Sequence, residues 1–294
     1  MTLAADPVPT RLLRSSAKQS YDPDVDVDWD APLTDGMWFM QPERLSLYGT
    51  PLWDNLAEEQ RRDLSRHEVA SIASVGLWFE LILMQMIVRE VYDEDPRSAR
   101  AQYALTEIGD ECRHSVMFGR LVERLGVPSY GPTPHVHRLG RGFKTLASGV
   151  SGYAAILVAE EILDRWQREL MKDQRVQPLI RMVSRIHVLE EARHMSFARE
   201  QIQAQVPGLA RRSLGWHRTV TAKVAFMVAR SLVNPQVYDA VGLDPREARR
   251  QALANPHYRR TLAWMGERVV GFLEEQGLIG PRQHATWRRS LLMP

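Results

Sequence analysis

Two short stretches of the chain repeat one arrangement of residues that could bind metal. Asp110-Glu111-Cys112-Arg113-His114 and Glu190-Glu191-Ala192-Arg193-His194 each read acid, Glu, x, Arg, His. On a helix, a Glu and a His three residues apart stand on one face, about 4.5 Å apart along the axis, so both reach one ion or two adjacent ions. His187 lies four residues before Glu191, which places His187, Glu191 and His194 on one face over two turns. A lone Glu-x-x-His arises by chance on exposed helices. Two of them, with one further Glu from each of two other helices, make a dinuclear carboxylate centre.

The further carboxylates should be acids set among apolar residues. Glu80 is the one charge in SIASVGLWFELILMQMIV at 71–88. Burying it unpaired would cost several kcal/mol, roughly, and a metal ion removes that difficulty. On a third helix the choice falls between Glu160 and Glu161. Glu160 shares its face with Tyr153, Ile156, Leu157, Leu163 and Gln167. Glu161 aligns with Arg165, Arg168 and Lys172, as on a solvated stripe or an ion-pair ladder. Glu160 is therefore the expected ligand. Four carboxylates (Glu80, Glu111, Glu160, Glu191) balance two divalent ions, and three imidazoles (His114, His187, His194) complete a mixed N/O set. That set suits iron, with manganese as a second candidate, whereas zinc takes fewer ligands. Asp110, Glu190 and Asp164 are placed to accept the second N–H of ligating histidines. Cys112 turns about 100° away from Glu111 and is expected to pack.

These residues need long helices to hold them. Residues 55–94 carry no proline and read as one helix. Residues 97–125 form a second, closed by Gly126 and Pro128. After a loop that opens with 126–135 and holds His135 and His137, the helical pattern resumes near 140 and is clear from 151 to 172. A fourth helix spans 176–205, and three more cover 210–232, 245–254 and 257–276. The expected fold is all-α: a ferritin-like four-helix bundle over 55–209, a helical extension at 210–294, and an irregular, proline-broken segment at 1–54 wrapping the core.

The sequence resembles the p-aminobenzoate N-oxygenase family of ferritin-like diiron proteins. It matches in Glu80, in Asp110-Glu111 with His114, in Glu160, and in the His187, Glu191, His194 triplet, whose third histidine separates this family from commoner diiron proteins. The resemblance implies that Glu111 and Glu191 bridge two irons. Glu80 and His114 would complete one, and Glu160, His187 and His194 the other. It implies an O2-dependent oxidation of an amine nitrogen, an arylamine passing to hydroxylamine, nitroso and nitro products. A basic residue of the C-terminal region, Arg268, would hold a substrate carboxylate. Trp78, Phe79, Tyr153 and Phe197 are candidate pocket residues. Hydroxylation, desaturation or oxidative cleavage of an aliphatic compound is the alternative, and ferroxidase activity a third.

The remaining sequence narrows the partners. Lys and Arg total 38 against 36 Asp and Glu, for a net charge of +2, which offers no electrostatic footprint for nucleic acid. A single Cys excludes a disulfide framework. The first residues lack an apolar core of leader type, and no apolar stretch of membrane-spanning length is free of ionisable groups, so a cytoplasmic location without a membrane span is expected. No flavin or nicotinamide fingerprint is present, so electrons would come from a separate reductase or small reductant. A homodimer acting on a small molecule is the expected assembly.

Overall fold

A computed structural model describes residues 7–294 of the 294-residue chain. Residues 1–6 of the segment expected to be irregular lie outside the described residues. Ten helices longer than five residues are described: α1 (Pro7–Lys18), α2 (Glu58–Val91), α3 (Ala99–Leu125), α4 (Pro134–Leu146), α5 (Gly149–Leu170), α6 (Pro178–Gln205), α7 (Arg211–Ser231), α8 (Pro245–Ala254), α9 (Pro256–Glu275) and α10 (His284–Ser290). The fold is all-α, and among the described residues the β structure amounts to one bridge, Trp38 to Val176.

The bundle is two helix pairs, α2 against α3 and α5 against α6. Local signals set their ends. Gln60 Oε1 accepts from the Ala57 N–H at the start of α2 (3.0 Å), and Ser98 Oγ accepts from the Ala101 N–H at the start of α3 (3.1 Å). Helix α3 stops at Gly126, whose φ of 64° is left-handed and leaves the last carbonyls satisfied. Pro178 opens α6 in its first turn, where a missing N–H costs nothing. Helix α2 is long and apolar enough to cross a membrane, yet more than half of its most apolar window is buried inside the protein. Helices α7 and α9 cover the outer side of α5, and α10 packs on α7.

Two expectations fail here. The N-terminal segment is not wholly irregular: α1 lies on α3 and α6. Pro7 and Pro9 sit in its first turn, where proline starts a helix rather than breaking one. The stretch around His135 and His137 is likewise helical, with Pro134 opening α4. Beyond α1 the segment becomes a strap across the end of the bundle. Trp38 N–H donates to the Arg175 carbonyl (3.0 Å) and the Gln177 N–H to the Trp38 carbonyl (2.9 Å). The Gln177 side chain both accepts from the Thr34 N–H (2.9 Å) and donates to its carbonyl (2.8 Å).

Candidate metal centre

The four bundle helices bring the seven expected residues to one place. Glu80 comes from α2, Glu111 and His114 from α3, Glu160 from α5, and His187, Glu191 and His194 from α6. None is more than 2% exposed. Glu111 and Glu191 lie between two imidazoles: the Nδ1 of His114 is 3.3 Å from Glu111 Oε2 and 3.1 Å from Glu191 Oε1. The Nδ1 of His194 is 3.0 Å from Glu111 Oε1 and 3.1 Å from Glu191 Oε1. On the other side, His187 Nε2 faces Glu80 (3.7 Å), Glu160 (3.9 Å) and Glu191 (3.6 Å). Three sets bring their donor atoms within 4.8 Å of one another: Glu80, His114 and His187; Glu111, His114 and Glu191; Glu160, His187 and Glu191.

This donor set fits a pair of metal ions. Buried polar atoms in proteins are almost always hydrogen-bonded, yet among the described residues Glu80 Oε1, Glu111 Oε1 and His187 Nε2 make no hydrogen bond, the close approach of His194 Nδ1 to Glu111 Oε1 being an ion-pair contact without that geometry. All three face the shared centre. The outward ring nitrogens are engaged: His114 Nε2 lies 2.9 Å from Glu190 Oε2, His194 Nε2 3.3 Å from Asp110 Oδ2, and His187 Nδ1 2.7 Å from Gln167 Oε1. Each outer partner accepts an N–H and so fixes the tautomer whose free lone pair points inward. Arg193 ties Asp110 (3.2 Å) to Glu190 (3.4 Å), Arg113 pairs with Asp110, and the Tyr21 N–H donates to Glu190 (3.1 Å).

Crowded charges divide the protons. Burial pushes the carboxyls of Glu80 and Glu160 upward, and the neighbouring acids reinforce it at Glu160. Burial opposes ionisation of Glu191 too, but His194, His187 and His114 outweigh it and hold Glu191 well below the carboxylate range. Burial opposes protonation of His114 and His194, yet the facing carboxylates raise both well above the usual imidazole value. Cations are thus favoured at the positions between Glu111 and Glu191.

Not every expected residue belongs here. Glu160 turns inward and Glu161 does not, but Glu161 is no solvated residue: it is buried and pairs with Arg199 of α6. Asp164 is taken by Arg168 (2.7 Å) and, among the described residues, meets no ligating imidazole. Tyr153 and Phe197 pack on each other (centroids 6.0 Å apart), with the Tyr153 hydroxyl 3.3 Å from Arg100, and line none of the cavities described below. Arg268 is exposed on α9, away from those cavities. Trp78 and Phe79 do line the space beside Glu160. Cys112 is exposed rather than packed, its Sγ 3.4 Å from Met84 Sδ. His137 sits edge-on to Trp78 (5.0 Å).

The sequence reading missed Glu107. It is buried, its donor oxygen clusters with Glu111 and His194, and burial lifts its pKa to about 8. The signal was present: Glu107-x3-Glu111-x2-His114 has the spacing of His187-x3-Glu191-x2-His194.

Comparison with known proteins agrees with this geometry. A family model described as P-aminobenzoate N-oxygenase AurF matches residues 4–277. An uncharacterised protein of Mycobacterium tuberculosis is 28% identical over 94% of this chain and 84% of its own length. An uncharacterised protein of Mycobacterium bovis is 27% identical with the same coverage.

Proposed function

Because the chain belongs to the p-aminobenzoate N-oxygenase family, and is thereby an O2-dependent diiron oxygenase, we propose that it oxidises an amine nitrogen, with an arylamine as substrate and two iron ions held by Glu80, Glu111, His114, Glu160, His187, Glu191 and His194. The observation that carries this reading is the set of four carboxylates and three imidazoles from four helices, all buried, with inward atoms left unpartnered. Bound iron supplies the reduction of O2 and the transfer of oxygen to the substrate, with electrons from a separate reductase.

The chain's own residues do the positioning. Glu111 and Glu191 sit where a carboxylate reaches both metal positions, and Glu190, Asp110 and Gln167 hold the three rings in the ligating tautomer. Glu107 stands beside Glu111 and His194, where burial raises its carboxyl above the usual range. Glu160 is the ligand that faces open space, so substrate approaches from its side. That space is walled by Trp78, Phe79, Ile82, Leu83, Met86 and Ile156, which keep water from the reacting atoms.

The test is iron counting combined with product analysis. Protein loaded with ferrous iron should hold about two ions per chain and, with reductant and O2, should convert an arylamine to hydroxylamine, nitroso or nitro product by mass spectrometry. A single zinc bound elsewhere, with Glu111 and His194 metal-free, overturns the reading. The purely apolar walls beside Glu160 favour one second reading, oxidation of an aliphatic C–H bond. Oxygen found on carbon, with nitrogen untouched, selects it.

A further inference from the structure

Two neighbouring cavities with a shared wall lie between Glu160 and the surface. The outer one, about 790 Å³, lies between α4 and α7. The inner one, about 40 Å³, shares Val136, Phe143, Val224 and Met227 with it and ends at Glu160, the only charged residue in its wall. We call the larger the chamber and the smaller, beside Glu160, the neck. The outer volume stands in the upper part of the range for small-molecule sites, about 300–1,000 Å³. It is some five times the roughly 150 Å³ that encloses a benzene ring.

The chamber's charge is one-sided. Arg138, Lys223, Arg230, Arg249 and Arg289 line it, and no Asp or Glu does. Among the described residues none of these five forms an ion pair with a carboxylate, whereas Arg44, Arg97 and Arg175 elsewhere do. Arg249 is fixed without being neutralised: it donates to the carbonyls of Val233 (3.0 Å) and Arg230 (2.8 Å). Arg230 and Arg289 both stand against the Phe226 ring, 5.9 and 5.4 Å from its centroid. Burial and the charges of Arg249, Arg259 and Arg289 all disfavour the cationic form of Arg230. Arg230 and Arg249 are half-buried while Arg138, Lys223 and Arg289 are exposed, and together they lack the counter-charge that an anionic ligand brings. The rest of the wall mixes apolar Val136, Leu139, Trp216 and Met227 with neutral polar Thr219, Ser231, Asn234 and Thr286, and with His135.

We infer that the chamber holds the anionic head of an elongated amphipathic substrate, whose apolar body runs through the neck and brings its far end to Glu160. This rests on the oxygenase reading, and it assigns the substrate's anion to Arg230, Arg249 and Arg289 rather than to Arg268. A carboxylate and a phosphate monoester share the required chemistry.

Binding is tested anaerobically by calorimetry, on iron-loaded protein, with dodecanoate, dodecyl phosphate, dodecanol and acetate. Dodecanoate, dodecyl phosphate or both should bind at least tenfold more tightly than dodecanol, and acetate should not register; the better of the two anions identifies the head group. Arg289→Gln should weaken anion binding tenfold or more while leaving dodecanol unchanged. Val224→Phe, at the junction of chamber and neck, should weaken dodecanoate more than hexanoate. Resonances of the chain-terminal methyl should broaden in iron-loaded but not metal-free protein. Equal affinity for dodecanol and dodecanoate, indifference to Arg289→Gln, or broadening at the head instead of the tail overturns the inference. So does attachment to anionic vesicles without binding of monomeric dodecanoate. Iron content and arylamine turnover are measured on the same samples. Failed binding with both intact removes this inference alone, while absent iron removes the oxygenase reading.

Discussion

Glu80 carries the sharpest conflict between packing and chemistry. It is buried on the apolar α2, Ser115 donates to its Oε2 (2.8 Å), and its Oε1 is unpartnered. In metal-free protein Glu80→Gln should raise the melting temperature, because it removes a carboxylate that burial and Glu111 both disfavour when charged. In iron-loaded protein the same change should lower it and drop occupancy toward about one ion per chain. Paired thermal melts with iron counting check this, and equal shifts in both states would exclude Glu80 as a ligand. Gln167 acts one step removed, through His187 Nδ1. Gln167→Leu should keep the fold and weaken iron binding roughly 10–100-fold, read by competition with a chelator. The site was legible at this scale because helical spacing alone aligns Glu111 with His114 and His187 with Glu191 and His194. Outer partners were half legible. Asp110 and Glu190 reach neighbouring rings as their positions beside the ligands suggested, but Asp164, one turn beyond Glu160, turns to Arg168. Rotation about a helix fixes which ligand faces inward, and a neighbouring cation decides where the next acid goes.

At the scale of elements, α4 is the piece the sequence concealed. Pro132 and Pro134 read as loop residues, yet Pro134 only starts the helix and Gly140 lets it close on α2. A Cβ at Gly140 would stand 2.5 Å from the Trp78 ring. Gly140→Ala should therefore displace Trp78 and cost about 1–3 kcal/mol by overpacking, seen as a lower urea midpoint with unchanged iron content. The four bundle helices, by contrast, were visible as long proline-free runs, because their length and apolar content need no tertiary partner to be recognised. A second junction joins α2 to the N-terminal strap. Glu68 is fully buried, accepting from Ser46 Oγ (2.5 Å) and the Ser46 N–H (3.1 Å), while Tyr238 stands 2.9 Å from that hydroxyl. Burial lifts its pKa from 4.5 to about 7, against the Ser46 bonds that pull it down. The folded state thus holds this proton more tightly than the unfolded chain. Stability from this group is whole below the unfolded value, falls as pH rises through the window from 4.5 to about 7, and above it is lower by on the order of 3 kcal/mol. Urea unfolding of Glu68→Gln should show a flatter dependence than wild type between about pH 5 and about pH 8. Identical slopes would mean that Glu68 is ionised throughout.

For the molecule as a whole, metal and fold are linked, since the inward atoms of four helices are satisfied together only when ions bind. A free iron concentration about 100 times the dissociation constant stabilises by about 2.7 kcal/mol per site. At about 2–4 °C per kcal/mol, stripping the protein with a chelator should lower its melting temperature by about 5 °C or more, restored on reloading. No change would place the ions outside the folded core. The strap has a consequence of another kind. Thr34 meets Gln177 across 143 positions of sequence, so on the ribosome the first is made long before the second. At about 5–20 residues per second, the nascent chain waits about seven to thirty seconds for that partner. Throughout the wait Met40, Leu45 and Leu47, none more than 2% exposed in the finished protein, lack their final cover. These apolar side chains thus leave the exit tunnel ahead of the partner that clasps them, an exposure that a chaperone would shield during translation.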